Sequence, residues 1–174
     1  MEELKYPIGR FKFNGEATRE KIEGWIGEIE TLPRRFKKAV EGLSEEQLDT
    51  PYRPGGWSVR QVVHHLGDSH LNSYIRFKWT LTEERPRIKP YYEDRWAELP
   101  DSLAANVEDS LAFLEILHKR WVKLLRSLTD ADWRREFDHP ESGVNSLAKT
   151  LALYAWHGNH HLAHVTGLRE RMGW

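Results

Sequence analysis

The sequence predicts an all-α protein that folds as a four-helix bundle. Four long stretches carry apolar residues at three- and four-residue intervals, which is the pattern of amphipathic helices. Runs that alternate apolar and polar residues, the signature of half-buried strands, are missing from the sequence. The 174 residues fit a single domain over residues 1–174, with a core large enough to enclose a site.

The first long helix is expected to begin after Thr18, whose hydroxyl can cap the helix N-terminus. Pro33 lies inside this helical pattern, so we expect a kink or a break near Leu32. The apolar stripe of this helix consists of Ile22, Trp25, Ile29, Leu32, Phe36, Val40 and Leu43.

The second long helix is separated from the first by a short helix and a breaker segment. Ser44 and Gln47 have the spacing of a capping box, which opens a short helix. Residues 50–56 are rich in proline and glycine and interrupt the helical pattern. Ser58 is a good N-cap for a long helix that runs to about Thr82.

The remaining two long helices follow a long loop. Residues 84–100 are aromatic and contain proline, and we expect an ordered loop there that can form the wall of a site. The third long helix is expected to start near Asp101 or Ser102, and the fourth near Asn145 or Ser146. Between these two helices we expect a short helical turn over 129–133 and a loop over 139–143.

Charge and composition exclude several classes of function. Lys plus Arg is 26 and Asp plus Glu is 27, without the basic excess of a nucleic-acid binder. No apolar run approaches the roughly 18 residues of a membrane span, and the first residues lack a signal-peptide pattern. We therefore expect a cytoplasmic protein that binds neither nucleic acid nor membranes. The absence of cysteine excludes disulfides, thiolate nucleophiles and Cys-ligated metals.

Seven of the nine histidines form two clusters within predicted helices, which makes them the candidates for metal chemistry. At about 100° of rotation per residue, His157 and His161 lie one turn apart on the inward side of the fourth long helix. At that spacing two imidazoles can bind one metal ion. His164 flanks the same face, and His160 is turned further away.

The second long helix offers two candidates for a third ligand. His65 lies at one edge of the apolar face, and His70 lies on its centre line about 7.5 Å further along the helix axis. His64 points nearly opposite, towards solvent. Helix geometry therefore favours His65 over His64 and leaves His70 as a rival. The isolated histidines, His118 and His139, are expected to be hydrogen-bonded structural residues.

A third histidine facing His157 and His161 would complete a three-histidine site. Such a site leaves coordination positions open for water or substrate, as in catalytic rather than structural zinc sites. The competing interpretation is a packed polar cluster without metal, in which several buried imidazoles would need many hydrogen-bond partners. Four histidines within eight residues favour metal binding.

Two motifs carry a family resemblance. The stretch 56–66, GWSVRQVVHHL, resembles the first signature of the DinB/YfiT-like superfamily. The stretch 157–164, HGNHHLAH, resembles the second signature, and the resemblance extends over nearly the whole chain. It implies a four-helix bundle of up-down-down-up topology, a bound divalent metal and often a homodimer.

The resemblance also implies which histidines bind the metal. The ligand of the first signature is His65, in preference to His70, and the second signature contributes His157 and His161. His164 is then expected behind the ligands rather than among them. We expect one divalent ion per chain, Zn²⁺ first and Ni²⁺ second, because imidazole binds both.

The resemblance implies two forms of chemistry. One is a thiol S-transferase that activates a low-molecular-weight thiol of the bacillithiol type, and the other is a hydrolase that uses metal-activated water. We favour the transferase, in which the thiol comes from the small-molecule substrate because the chain has no cysteine. A hydrolase needs a general base, for which Asp68 and His164 are the candidates. A non-enzymatic metal-binding stress-response bundle is the third alternative.

Residues for substrate binding can also be proposed from the sequence. An anionic thiol carrier would need cationic groups, for which Arg60, Arg76 and the segment 85–89 are candidates. Trp156 adjoins a predicted ligand and could line the site.

Overall fold

The computed structural model describes residues 2–174 and contains four long helices, five short helices and one β-hairpin. The predicted caps Thr18, Ser44, Ser58 and Thr129 each accept a backbone N–H from the first turn of their helix. Of the two starts considered for the fourth long helix, Ser146 is the cap. In chain order the elements are α1 (Glu2–Lys5), α2 (Arg19–Val40), α3 (Glu45–Leu48), α4 (Val59–Thr82), α5 (Glu93–Trp96), α6 (Pro100–Ala104), α7 (Val107–Leu125), α8 (Asp130–Trp133), β1 (Glu136–His139), β2 (Gly143–Ser146) and α9 (Leu147–Met172).

The first and last long helices, α2 and α9, run parallel to each other. Arg35 donates to the side chain of Asn159, and further along both helices Arg169 donates to the carbonyl of Ala39. The contacts therefore advance in the same direction on both helices.

The second and third long helices, α4 and α7, are also parallel. His64 contacts Ser110, and His70 contacts His118 about two turns later on both helices. A parallel pair needs a connection that returns the chain along the bundle. Residues 83–106 provide that connection and contain α5 and α6.

Contacts between α4 and α9 run in opposite directions along the two helices. His65 packs against His161, whereas Ser69, one turn later on α4, donates to Tyr154, which lies earlier on α9. The directions of α2, α4, α7 and α9 are therefore up, down, down and up. The topology expected from the family resemblance is confirmed.

A β-hairpin forms where the sequence shows no strand pattern. β1 and β2 pair antiparallel, with His139 opposite Gly143, whose φ of 74° suits a glycine at the end of a tight turn. Each strand has four residues, which is too short for an alternating pattern to be recognised. Asp138 exchanges backbone hydrogen bonds with Pro86 and Ile88, so the hairpin also holds the long connection in place.

Two helix boundaries differ from the prediction. α2 is not broken near Leu32 but continues through Pro33. The third long helix starts at Val107 rather than near Asp101, because the side chain of Asn106 caps it and residues 100–104 form the separate helix α6. Within the described residues, no helix has the length and apolarity that a membrane crossing requires.

Two apolar clusters fill the bundle, and a layer of histidines separates them along the helix axes. The layer contains His70 on α4, His118 on α7 and His157 on α9. One cluster includes Leu32, Leu66, Leu114 and Val165, and the other includes Ile29, Phe77, Trp121 and Tyr154.

Candidate metal centre

Three histidines from two antiparallel helices converge at one wall of a cavity. His65 comes from α4, and His157 and His161 come from successive turns of α9. Each contributes one ring nitrogen, and the three nitrogens lie within 4.8 Å of one another. The structure therefore brings together the three residues that the sequence predicts as ligands.

The chemistry of these three imidazoles fits a divalent cation. The Nε2 atoms of His65 and His157 face each other at 3.3 Å, where two lone pairs repel unless a proton or a cation lies between them. Burial lowers the pKa of His65 to about 4. Burial, and then the neighbouring imidazoles, lower the pKa of His157 and of His161 well below the ordinary value. The rings are therefore neutral near pH 7, the form that binds metal.

His164 lies behind His161 rather than at the centre. Its Nε2 is 3.1 Å from the carbonyl oxygen of Lys5, and its Nδ1 is 3.4 Å from the Nδ1 of His161. Tyr52 stacks on its ring, with the ring centroids 3.9 Å apart. Together with His160 and His161 it forms a second group of three close ring nitrogens. The first group takes its three nitrogens from two facing helices, whereas the second takes all three from α9, so the first group is the better metal site.

The other two histidines of α4 do not join the centre. His64 does not point to solvent, which corrects the prediction: it is 6% exposed, with its Nδ1 2.7 Å from the hydroxyl of Ser110 and its Nε2 3.2 Å from the carbonyl of Ala105. The prediction assumed one packed face, whereas α4 is packed against both α7 and α9. His70 is fully buried on the far side of His157 from the cavity.

The isolated histidines are hydrogen-bonded, as predicted. His118 is buried, with its Nε2 2.8 Å from His70 Nδ1 and its Nδ1 2.6 Å from the carbonyl oxygen of Ile29. The Nδ1 of His139 accepts the backbone N–H of Glu141, and His139 also lines the cavity.

The cavity beside the three histidines has a volume of about 640 Å³, which suits a small molecule. Trp156 lines it, as predicted, and so does Trp57, whose ring centroid is 4.7 Å from that of His65. Sequence reasoning missed Trp57 and Tyr52 as residues of the site. The signals for Trp57 were its place inside the first signature, residues 56–66, and directly before the cap of α4.

The cationic groups predicted from the sequence separate into two sets. Arg76 lines the cavity, but the segment 85–89 does not. Arg60 is buried elsewhere, where it donates to the carboxylates of Glu45 and Asp49 and ties α3 to α4. The cavity gains other charged groups that the sequence did not indicate: Lys5, Arg53, Glu93, Asp94 and Glu141.

Asp68 is half-buried on α4 and is not one of the residues that line the cavity. Burial raises its pKa to about 6, with a further contribution from the charge of Asp101. A pKa near neutrality suits a general base, although the carboxylate lies outside the cavity wall. The roles of Asp68 and His164 as catalytic groups stay predictions.

Proteins of similar sequence align with this chain over its full length. The family model of the DinB superfamily matches residues 28–165. A protein of Bacillus mycoides (strain KBAB4) is 59% identical over 174 residues, and one of Bacillus cereus (strain 03BB102) is 58% identical over 174 residues, with 100% of both chains covered in each comparison. Both relatives carry the provisional name metal-dependent hydrolase.

Two solved structures share the fold. YfiT from Bacillus subtilis, provisionally described as a metal-dependent hydrolase with an unusual four-helix bundle topology, matches with a TM-score of 0.97 and 53% identity over 99% of each chain. The four-helix bundle protein TT2238 matches with a TM-score of 0.53 and 17% identity, covering 84% of this chain and 98% of that one.

Proposed function

Because this chain belongs to the DinB superfamily, we propose that it is a metal-dependent enzyme whose divalent cation is held by His65, His157 and His161. The observation that carries the proposal is the convergence of three neutral ring nitrogens within 4.8 Å at a cavity wall. Zn²⁺ is the favoured ion and Ni²⁺ the second, since imidazole binds both. When bound, such a cation lowers the pKa of a coordinated water or thiol and so supplies a nucleophile near pH 7.

The residues around the histidines bind and orient a small polar substrate. Trp57 and Trp156 supply flat apolar walls beside the histidines. Two arginines, Arg53 and Arg76, also line the cavity. A substrate that enters this cavity leaves water behind and meets these cations.

Within this class, we propose a thiol S-transferase that acts on a low-molecular-weight thiol of the bacillithiol type. The cationic groups Lys5, Arg53 and Arg76 suit an anionic thiol carrier. The chain has no cysteine, so the sulfur nucleophile belongs to the substrate. The homodimer implied by the family resemblance stays a prediction.

A hydrolase is the second candidate. The provisional names of the relatives at 58–59% identity favour it. The cavity also contains the carboxylates Glu93, Asp94 and Glu141, any of which could take a proton from water. Asp68 would have to act from outside the cavity wall.

Elemental analysis of untagged protein tests the metal centre. About one Zn²⁺ or Ni²⁺ per chain is expected for the wild type, with loss of the metal in His65→Ala, His157→Ala and His161→Ala. His64→Ala is the matched control, because His64 is the neighbouring buried histidine but bonds to Ser110 instead. Its metal content should stay at the wild-type level. A wild type that binds neither metal, even when it is added, would refute the enzyme proposal.

Activity assays of the metal-loaded protein then separate the two reaction classes. Conjugation of a low-molecular-weight thiol to an electrophile, absent from the His161→Ala variant, would support the transferase. Hydrolysis of esters or amides without added thiol would favour the hydrolase. A protein with full metal content that shows neither activity would favour the non-enzymatic metal-binding bundle.

A further inference from the structure

A continuous row of hydrogen bonds leads from the candidate metal centre across the bundle to α2. His157 Nδ1 is 3.2 Å from His70 Nε2, and His70 Nδ1 is 2.8 Å from His118 Nε2. His118 Nδ1 in turn is 2.6 Å from the carbonyl oxygen of Ile29. Both His70 and His118 are at most 1% exposed, so water does not compete for these contacts.

The row ends at the carbonyl oxygen of Ile29, which is free to accept because α2 contains a proline. In α2 the carbonyl of Ile29 would normally accept the backbone N–H of residue 33, four positions later. Residue 33 is proline, which has no N–H to donate, so the carbonyl lacks its usual helical donor. His118 of α7 supplies the missing donor from across the bundle. This contact satisfies a buried backbone carbonyl that would otherwise destabilise the fold.

The carbonyl of Ile29 fixes the proton positions along the whole row. A carbonyl can only accept, so His118 carries its proton on Nδ1 and its Nε2 must accept. His70 then donates from Nδ1 and accepts at Nε2. His157 therefore donates from Nδ1, which leaves the lone pair on Nε2. That Nε2 is the atom that faces His65 at the centre.

This sequence of proton positions requires that His70 and His118 are neutral. The rings next to His70 are those of His118, Trp121, Tyr154 and His157, and none of these side chains is acidic. A charge on His70 would be buried without a counterion.

We propose that His118 and His70 are positioning residues that hold His157 in its metal-binding tautomer, with the proton on Nδ1 and the lone pair on Nε2. The proposal rests on the metal centre proposed above. Ligating histidines generally donate their second ring nitrogen to a fixed acceptor, which sets both tautomer and ring orientation. Here the acceptor is a relay of two further histidines, anchored at the carbonyl that Pro33 leaves free.

A shorter relay acts on a second ligand. The Nε2 of His164 donates to the carbonyl of Lys5, so its Nδ1 accepts from the Nδ1 of His161 and leaves the Nε2 of His161 free. His157 and His161, two of the three proposed ligands, are therefore each held in one tautomer by a hydrogen bond to a histidine outside the metal centre. No such partner holds His65 among the described residues, so His65 is the ligand whose proton can move when a cation enters.

Nitrogen-15 NMR of the metal-free protein tests the proposal, because long-range correlations show which ring nitrogen of each histidine carries hydrogen. The wild type is expected to show His157 protonated on Nδ1. In His118→Phe the acceptor for His70 is lost, so His157 should become wholly or partly protonated on Nε2. Zn²⁺ affinity, measured by competition with a chelator, should fall by about 10–100-fold.

Two further variants separate positioning from general damage to the core. His118→Gln keeps an oxygen that can accept from His70, and it should retain the wild-type tautomer of His157. His64→Phe removes another buried histidine, which lies outside the relay and bonds to Ser110, and it should leave both the tautomer of His157 and the Zn²⁺ affinity unchanged.

Each outcome decides for or against the relay. A wild-type His157 protonated on Nε2, or a folded His118→Phe variant with unchanged tautomer and affinity, overturns it. If His118→Phe does not fold, the wild-type spectrum and His118→Gln decide, and loss of the tautomer in His118→Gln counts against the relay. A wild type that shows the expected tautomer of His157 but binds no metal would refute the proposed metal-dependent enzyme and would still support the relay.

Discussion

The close packing of α2 against α9 depends on the absence of a side chain at Gly158. A Cβ at this position would lie 2.4 Å from Cδ2 and 3.0 Å from Cδ1 of Leu32, whereas carbon atoms in contact are normally about 3.5–4.0 Å apart. Leu32 is 1% exposed and belongs to a packed apolar cluster, so it has little space into which it can move. Gly158→Ala therefore forces a displacement of about 1 Å between the helices or a strained rotamer of Leu32.

The expected cost follows from two opposing effects. Overpacking of a core costs about 1–3 kcal/mol, and the short distances place this case near the upper end. Replacing glycine by alanine inside a helix returns about 1 kcal/mol. Gly158→Ala should therefore lower the free energy of unfolding by about 2 kcal/mol and Tm by about 4–8 °C for a chain of this size.

Urea denaturation of four variants measures this effect. Gly24→Ala is the matched control, because Gly24 lies inside α2 with nothing within 4 Å of its Cβ position, and the variant should gain about 0.5–1 kcal/mol. Leu32→Ala alone should lose about 2–5 kcal/mol. In the double variant the methyl group introduced by Gly158→Ala occupies part of the vacated space, so the loss should be smaller than the sum of the single losses. A Gly158→Ala variant as stable as the wild type, or strict additivity in the double variant, would refute the packing argument.

Two further predictions concern charged groups. Asp68 has a folded-state pKa of about 6 against an ordinary value of 3.8, so the wild type loses stability as pH rises through this range. After allowance for its partial exposure, Asp68→Asn should be about 1 kcal/mol more stable than the wild type at pH 8 and equally stable at pH 3.5. Thermal unfolding at both pH values measures this. The same stability difference between variant and wild type at both pH values would contradict the reasoning. Arg60→Met should lose about 2 kcal/mol in urea denaturation, because a buried guanidinium that bonds Glu45, Asp49 and the carbonyl of Ala105 is removed. Arg126→Met, which breaks a half-exposed pair with Glu30, should lose clearly less stability than Arg60→Met, because exposed ion pairs contribute little. Equal losses in the two variants would contradict the assigned role of burial.

The main features of the fold were predictable because they depend on local patterns. Caps such as Ser44, Ser58 and Thr129 were predictable because an N-cap bond is made within four residues of chain. The hairpin and the start of α7 were not. Strands of four residues are too short to show a recognisable alternating pattern, and several polar residues near 101–106 could cap a helix.

For the candidate site, the sequence predicted only how residues of the same helix are arranged relative to one another. His157 and His161 share a face because their spacing is one turn, whatever surrounds them. The sequence pattern wrongly predicted that His64 faces solvent, and it gave no sign that Arg60 is buried. Both depend on α6 and α7, which cover a face of α4 that the pattern alone marks as polar.

An all-α chain without cysteine and a histidine pair one turn apart can be read directly from the sequence, since composition and helical spacing do not depend on other segments. Which ring nitrogens contact each other depends on how the helices pack. The tertiary structure placed His65 across from His157, hid His70 behind it, and joined Pro33 of α2 to His118 of α7 through a carbonyl without its helical donor. The physical reason is that a hydrogen bond or a metal site joins groups far apart in the chain, so its partners are fixed by how the helices pack.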